Sequence, residues 1–260
     1  MVLFLWNKYL IYVVNKKRKE ESIKKEFPNA DILDLTSKSE YTKVLSPFYP
    51  HGNIPIPFTE GLTATCVEAV WQGLKVFETY GVDFNTFRND TMQNLKRTVR
   101  KYGAPKGHLK GAFGNELLNC FDARMLIYLP TYKYVLDNVP RVQHILKRIK
   151  ERSIDHDLVF LDYNTNTDVR DISQPLSHAG LVKLYIEDRY PEYDPSIRPM
   201  TKEEVEDKRQ RQKEEKKART TKHKRNSSTD NRPGNDSTCS SSDKNGFQEE
   251  LFPSSFFESK

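Results

Sequence analysis

Four prolines fall within the fourteen residues Leu45-Ser-Pro-Phe-Tyr-Pro-His-Gly-Asn-Ile-Pro-Ile-Pro-Phe58, along with the aromatics Phe48, Tyr49 and Phe58. Proline fixes φ and lacks a backbone donor, so this run is neither a helix nor a central strand. It is a stiff, ordered loop, and the rest of the chain must fit its path. Directly after it, Val67, Val70, Leu74 and Phe77 recur at helical spacing in Thr65-Cys-Val-Glu-Ala-Val-Trp-Gln-Gly-Leu-Lys-Val-Phe-Glu78. Read as a helix over 65–78, that stretch gathers Glu68, Gln72 and Lys75 into a narrow polar stripe bordered by Trp71. An acid, an amide, a cation and an indole on one face make a small polar site. The same residues also fit a capping box, with Thr65 bonding the first-turn amides and Glu68 reaching back. Gln72 and Lys75 are then a solvated face.

Loop and helix together resemble the NADAR (YbiA-like) superfamily. Its members carry a Ser-x-Phe-Tyr-Pro loop followed by a helix of pattern Val-Glu-x-x-(aromatic)-Gln-x-x-Lys. The matching residues are Ser46, Phe48, Tyr49 and Pro50, then Val67, Glu68, Trp71, Gln72 and Lys75. The match is specific over residues 45–78 and diffuse to about residue 190. Two departures stand out. Val76 separates Lys75 from Phe77, which are adjacent in the family, and the family's closing Trp-Gly loop is replaced by a polar loop offering Asp168 and Asp171.

The resemblance implies an α+β fold, a mostly helical single domain around a small β-sheet. It also implies an N-glycosidase acting on ribosylated bases, which are riboflavin-pathway intermediates in some members and ADP-ribosyl adducts in others. Breaking an N-glycosidic bond builds oxocarbenium character at the anomeric carbon, which a fixed carboxylate stabilises. Glu68 takes that catalytic role, held ionised by the helix dipole as a base or electrostatic stabiliser rather than an acid. Lys75 binds a phosphate or a base carbonyl, Gln72 orients water or sugar hydroxyls, and Trp71 or Phe48 stacks on a base. Ser46, Tyr49 and Asp168 complete the expected substrate contacts. The cluster asks for no metal and no cofactor. The alternative is a non-catalytic module of the same fold that binds ADP-ribose or a nucleotide, or a protein partner.

The flanking sequence supplies a scaffold. Leu10–Val14, the charged segment from Asn15 to Phe27 and Ile32–Leu35 read as strand, helix and strand, a βαβ-like unit. No glycine-rich loop follows the first strand, which disfavours a Rossmann or P-loop site. Gly81 reads as a helix stop, and Phe84–Tyr102 as a second helix ending in Lys96, Arg97, Arg100 and Lys101. Residues 101–114, with four glycines, read as a loop, and His108 within it as a solvent-exposed histidine. Pro130 marks a kinked or two-piece helix, 139–154 a basic amphipathic helix, and Asp157–Tyr163 the clearest central strand.

Charge and cysteine usage bound the rest. Hydrophobic residues are 36% and charged residues 30% of the 260. The net charge is +6, of which the body before residue 201 holds only +4, too mild to argue for nucleic-acid binding. Domain organisation reads as residues 1–194 for the domain and 195–260 for a disordered, charged and Ser-rich tail. Within the tail, Lys208–Arg225 counts ten basic residues against two acidic ones and is the one place for a nucleic acid or a nuclear-import signal. Cys66, Cys120 and Cys239 are odd in number and widely spaced, which argues against a disulfide framework and fits the cytoplasm. The apolar N-terminus has no small-residue cleavage site and is too short to span a bilayer, so no membrane partner is expected.

Overall fold

The computed structural model describes residues 10–227, with side chains described to residue 214. It opens with strand β1 (Ile11–Asn15), helix α1 (Glu20–Glu26) and strand β2 (Asp31–Asp34). The Pro-rich loop holds a single 3-10 turn at Lys43–Leu45 and the first strand of a short hairpin, β3 (Ile54–Pro55) and β4 (Thr63–Ala64). Helix α2 (Val67–Gly73) is followed at once by strand β5 (Lys75–Phe77), then by short helices α3 (Phe84–Phe87) and α4 (Val99–Tyr102). Strands β6 (Pro105–Leu109) and β7 (Leu117–Leu118) complete an antiparallel sheet of order β5-β6-β7.

The second half is mainly helical. Helix α5 (Cys120–Ala123), a π-helical segment (Arg124–Tyr128) and α6 (Leu129–Asn138) run on from one another, followed by α7 (Pro140–Arg152). Strand β8 (Leu158–Asp162), α8 (His178–Ile186) and α9 (Lys202–Ser227) complete the order.

The expected βαβ unit forms, with one addition. Strand β8 inserts between β1 and β2, parallel to both, giving the order β1-β8-β2. Period-two alternation then assigns the two faces. Ile11, Leu33, Leu158 and Phe160 point into the main core, while Val14, Ile32 and Val159 meet Ile23 of α1 in a small second core. A central strand buried on both faces reads as a continuous apolar run, which is why 157–163 is so clear in the sequence. The main core joins Val67, Ala69 and Val70 of α2 to Tyr132, Val135 and Leu136 of α6 and to Val142, Ile145 and Ile149 of α7.

Several expectations are corrected. The 65–78 helix ends at Gly73, where α3 packs too closely for any side chain. A Cβ on Gly73 would lie 2.2 Å from the Phe87 ring. Lys75 and Phe77 therefore belong to a strand, and Gly81 stops no helix.

The 84–102 helix does not form either. Only its ends are helical, Met92 and Asn94 adopt positive φ, and the apolar Val99 is exposed. Residues 105–109 of the expected glycine loop are a strand.

The kink at Pro130 is resolved differently from a break. Pro130 cannot donate to the carbonyl four residues earlier and its ring crowds that group, so the preceding turn widens into the π segment.

The segment 195–227 also departs from the expected disorder, since Lys202–Ser227 is helical. Its first turns clasp the body. Lys208 Nζ lies 3.0 Å from Asp171 Oδ2 and 3.4 Å from both Asp168 Oδ2 and Asn166 Oδ1. Glu204 binds Arg170 and Arg198, and the Met200 amide donates to Arg170 O. Ending the chain at Asp194 strips the buried Asp171 carboxylate of its cation. A loss of about 1–2 kcal/mol is expected, read as a lower Tm than full length. Identical melting would show that the clasp carries no stability. Residues 228–260 lie outside the described residues.

Candidate functional site

The Pro-rich loop and α2 are locked together by the Glu68 amide, which donates to Pro47 O at 2.8 Å. Neither half of the expected capping box forms. Cys66 is the cap, its Sγ accepting from the Ala69 amide, while Thr65 Oγ1 donates to Asn89 O at 2.6 Å. Burial pushes the Cys66 thiol up to about 11, so it remains a thiol. The Glu68 side chain is thereby free of helix capping.

Glu68 is only 8% exposed, and one carboxyl oxygen accepts from Gln72 Nε2 at 2.8 Å. Gln72 is its one hydrogen-bond partner among the described residues, and the second oxygen has none. Burial raises the carboxyl above the ordinary glutamate range, against the opposing pull of the Gln72 bond and of Lys96 and Lys75. This reverses the expectation of a carboxylate held ionised by its helix. A seven-residue helix offers a weak dipole, and desolvation outweighs it.

An aromatic wall stands beside the acid. Trp71 is half-buried and stacks on His108 with centroids 3.7 Å apart and a 31° tilt. Tyr128 of the π segment meets the indole edge-on at 5.6 Å, and its hydroxyl feels the Glu68 charge. Lys75 leaves the expected helical stripe but stays in the cluster. Strand β5 sets it opposite His108, where its charge reaches both His108 and Glu68. Phe48 is half-buried on the loop, with Lys96 Nζ 5.7 Å from its ring centroid.

The structure therefore brings together Phe48, Glu68, Trp71, Gln72 and Lys75 and adds Lys96, His108 and Tyr128. It leaves three expected contacts elsewhere. Ser46 Oγ accepts from the Phe48 amide and serves the loop turn. Tyr49 packs on His51 and takes a 3.4 Å bond from Arg141. Asp168 accepts from the Arg170 amide and pairs with Lys208, within its own loop. That loop is anchored by Arg124, which donates to Val169 O, Asp171 O and Gln174 O.

A buried arginine supports the acid from behind. Arg97 donates to Gln72 O, Lys75 O and Gly81 O, and its amide donates to Gln72 Oε1 at 3.1 Å. The Gln72 amide group is thus fixed from both ends, which fixes Glu68. Sequence reasoning treated Arg97 as a helix-end cation because the segment read as a helix. Its true signal, an arginine between apolar Leu95 and polar Thr98, is too common to be diagnostic.

Asp162 and His178 form a second buried polar unit. Asp162 accepts from Ser177 Oγ at 2.7 Å and lies 3.1 Å from His178 Nδ1, while His178 Nε2 meets Leu35 O at 2.7 Å. Two acceptors require two N–H groups, so the ring is an imidazolium. Burial alone would lower the His178 pKa, but the bond and charge of Asp162 with the Leu35 carbonyl hold it above the ordinary value. Burial likewise pushes Asp162 up, and His178, Ser177 and the Ala179 amide together hold it down. The unit ties β8 to α8 and β2 and leaves no group free for a ligand.

Its pH signature has a definite sign. The His178 contribution is complete below its unfolded pKa of about 6.5 and is lost as pH rises through the raised folded value. The Asp162 contribution is present above about 3.9 and lost as pH falls through its lowered value. Stability should therefore fall from pH 6.5 upward, and His178→Gln should flatten that slope in melting curves. An unchanged slope in the variant would assign it to other groups.

Two surface clefts lie apart from the Glu68 cluster. One, of about 610 Å³, is lined by Lys133, Gln143, Lys150 and Tyr185; the other, of about 570 Å³, by Tyr80, Asp83, Arg97 and Tyr102. In the first, Lys133 is paired with Asp137, which also accepts from Tyr185, so its polar groups serve each other. Among the described residues no group of three His, Cys, Asp or Glu is placed to hold a metal ion. No helix among them is long and apolar enough to cross a membrane.

With an α+β fold and a buried acid behind a Pro-rich loop in view, the comparisons place the chain. Residues 15–182 match DUF6939, described as a family of unknown function, and the chain belongs to that family. No curated protein and no solved structure matches it.

Proposed function

We propose that the Glu68 cluster is the active site of an N-glycosidase-like hydrolase that releases the base from a ribosylated small molecule or an ADP-ribose-type conjugate. The observation that carries this reading is the Glu68 carboxyl itself, buried beside a half-open aromatic wall with one oxygen unpartnered. That second oxygen is not buried away from solvent, so it is open to a ligand while the rest of the carboxyl is held in place. Support also comes from the Ser46–Pro50 and Val67–Lys75 motif residues that resemble NADAR proteins.

The raised pKa assigns Glu68 the opposite first role from that of a permanent base. With its carboxyl raised by burial, Glu68 is the acid that protonates the departing base as the C1′–N bond breaks and the bonding pair leaves with the base. The carboxylate so formed faces the oxocarbenium ion, and water adds to the anomeric carbon while returning a proton to Glu68. Gln72, gripped by Arg97, fixes the acid's orientation. Trp71 and Phe48 stack on the base, and Lys75 and Lys96 neutralise phosphate. Partners are thus small ribosylated ligands; nucleic acid is left to the basic helix α9.

The test is base release from ribosylated substrates, together with calorimetric titration of ADP-ribose into the full chain. Binding with base release supports the hydrolase. Binding without release supports the non-catalytic module, and neither would sink the ligand class.

A further inference from the structure

His108 is one residue that the chemistry above does not use. Its ring is 97% buried, given 3% exposure, yet neither Nδ1 nor Nε2 has a hydrogen-bond partner. Burial first, and then the Lys75 charge, push its pKa down to about 3. The ring is therefore neutral at any physiological pH, one nitrogen carrying a proton and the other a lone pair. Buried polar atoms are almost always bonded, and each exception calls for a reason.

Packing does not supply that reason. A phenylalanine or leucine at this strand position would stack on Trp71 and seal the same space without orphaned nitrogens. Nor is it a general habit of buried histidines in this chain, since His178 is bonded at both of its nitrogens. What is particular to His108 is its company. It lies under the half-exposed indole of Trp71, opposite Lys75, and within the cluster that holds the unpartnered oxygen of Glu68. The indole is only partly covered, and it is the group that must move for a ligand to reach the imidazole.

We infer that His108 is a ligand-contacting residue of the Glu68 site: a neutral imidazole whose nitrogen hydrogen-bonds the base of the ribosylated ligand once Trp71 shifts to stack on that base. The inference rests on the function proposed above and deepens it, because a neutral imidazole donates at one nitrogen and accepts at the other. It selects a base edge that carries hydrogen-bonding groups, as nicotinamide and the purines do, over a purely apolar leaving group. A charged lysine or arginine in its place would select an anion instead.

The test uses the full chain, NAD as the probe because it carries a base on the anomeric carbon where ADP-ribose has none, and His108→Phe beside His108→Gln. The phenylalanine variant keeps the stack and removes both orphaned nitrogens. It should melt no lower than the wild type and bind NAD about tenfold more weakly, the weight of one hydrogen bond in a dry site. His108→Gln, which restores a donor and an acceptor, should recover part of that loss. A phenylalanine variant with wild-type affinity would overturn the part given to His108 and leave the Glu68 site standing. A His108→Phe protein that melts far below the wild type would show that the fold itself uses the nitrogens, and would overturn it equally. Failure of the wild type to bind NAD would instead overturn the ligand class, and the His108 contact with it.

Discussion

Glu68→Gln is expected to lower base release by about two to four orders of magnitude while leaving the protein at least as stable as the wild type. The rate loss is the usual weight of one acid–base or electrostatic group. The stability follows from the direction of the pKa shift, because Glu68 is raised by burial. As pH rises past the ordinary carboxyl value the unfolded chain ionises first, so Glu68 costs stability at neutral pH. Glutamine never ionises, fits the same space and can still bond Gln72. Its advantage should shrink below about pH 4, where Glu68 is protonated in both states. Activity and Tm measured on the same samples across pH 4–8 check both halves. An active Glu68→Gln protein would refute the mechanism, and a strongly destabilised one would mean that the carboxylate serves the fold.

Arg97→Met should be the more damaging change to the protein itself. It preserves most of the side chain's length and its contact with the rings of Phe77 and Tyr102, on which the guanidinium lies at 4.9 and 4.8 Å. It also leaves the carbonyls of Gln72, Lys75 and Gly81 with no charged donor at the junction of α2 and β5. Removing hydrogen bonds from a buried charge to such acceptors costs about 3–5 kcal/mol. Chemical denaturation should show that loss, with any folded protein having weak ligand affinity because Gln72 is no longer held in register. A loss under 1 kcal/mol would mean that water replaces the guanidinium there.

How much of this was legible varies with what kind of signal each element leaves. Strand β8 announces itself because a strand buried on both faces is an unbroken apolar run, and α7 because one face is apolar and the other basic. The Pro-rich loop is equally plain, since proline constrains the backbone locally. The 65–78 helix was misread in its second half because Leu74 and Phe77 continue the helical spacing where the chain in fact turns from helix to strand. The close approach of Phe87 to Gly73, a tertiary fact, marks that turn. His108 was misplaced for a related reason. Pro105 and Gly107 dilute the alternation of β6, whose strand character comes from pairing with β5 and β7. The clasp by Lys208 was hidden because one lysine among ten cations carries no mark of the carboxylate it will meet.

Within the site, Glu68, Trp71, Gln72 and Lys75 were found together, although Lys75 arrives on a strand rather than the helix. Lys96 and Tyr128 reach the cluster through an irregular segment and a π turn, neither of which has a sequence period to read. Asp168 was chosen for its place in a polar loop and belongs instead to the contact with α9.

The central claim is that ligand binds at Glu68 rather than in either surface cleft, and amide chemical-shift mapping of the full chain during an ADP-ribose titration tests it most directly. The account predicts shifts confined to the Ser46–Tyr49 loop, residues 68–75, Lys96, the 106–109 strand and Tyr128. Shifts centred on Lys133, Lys150 and Tyr185, or none at saturating ligand, would contradict it.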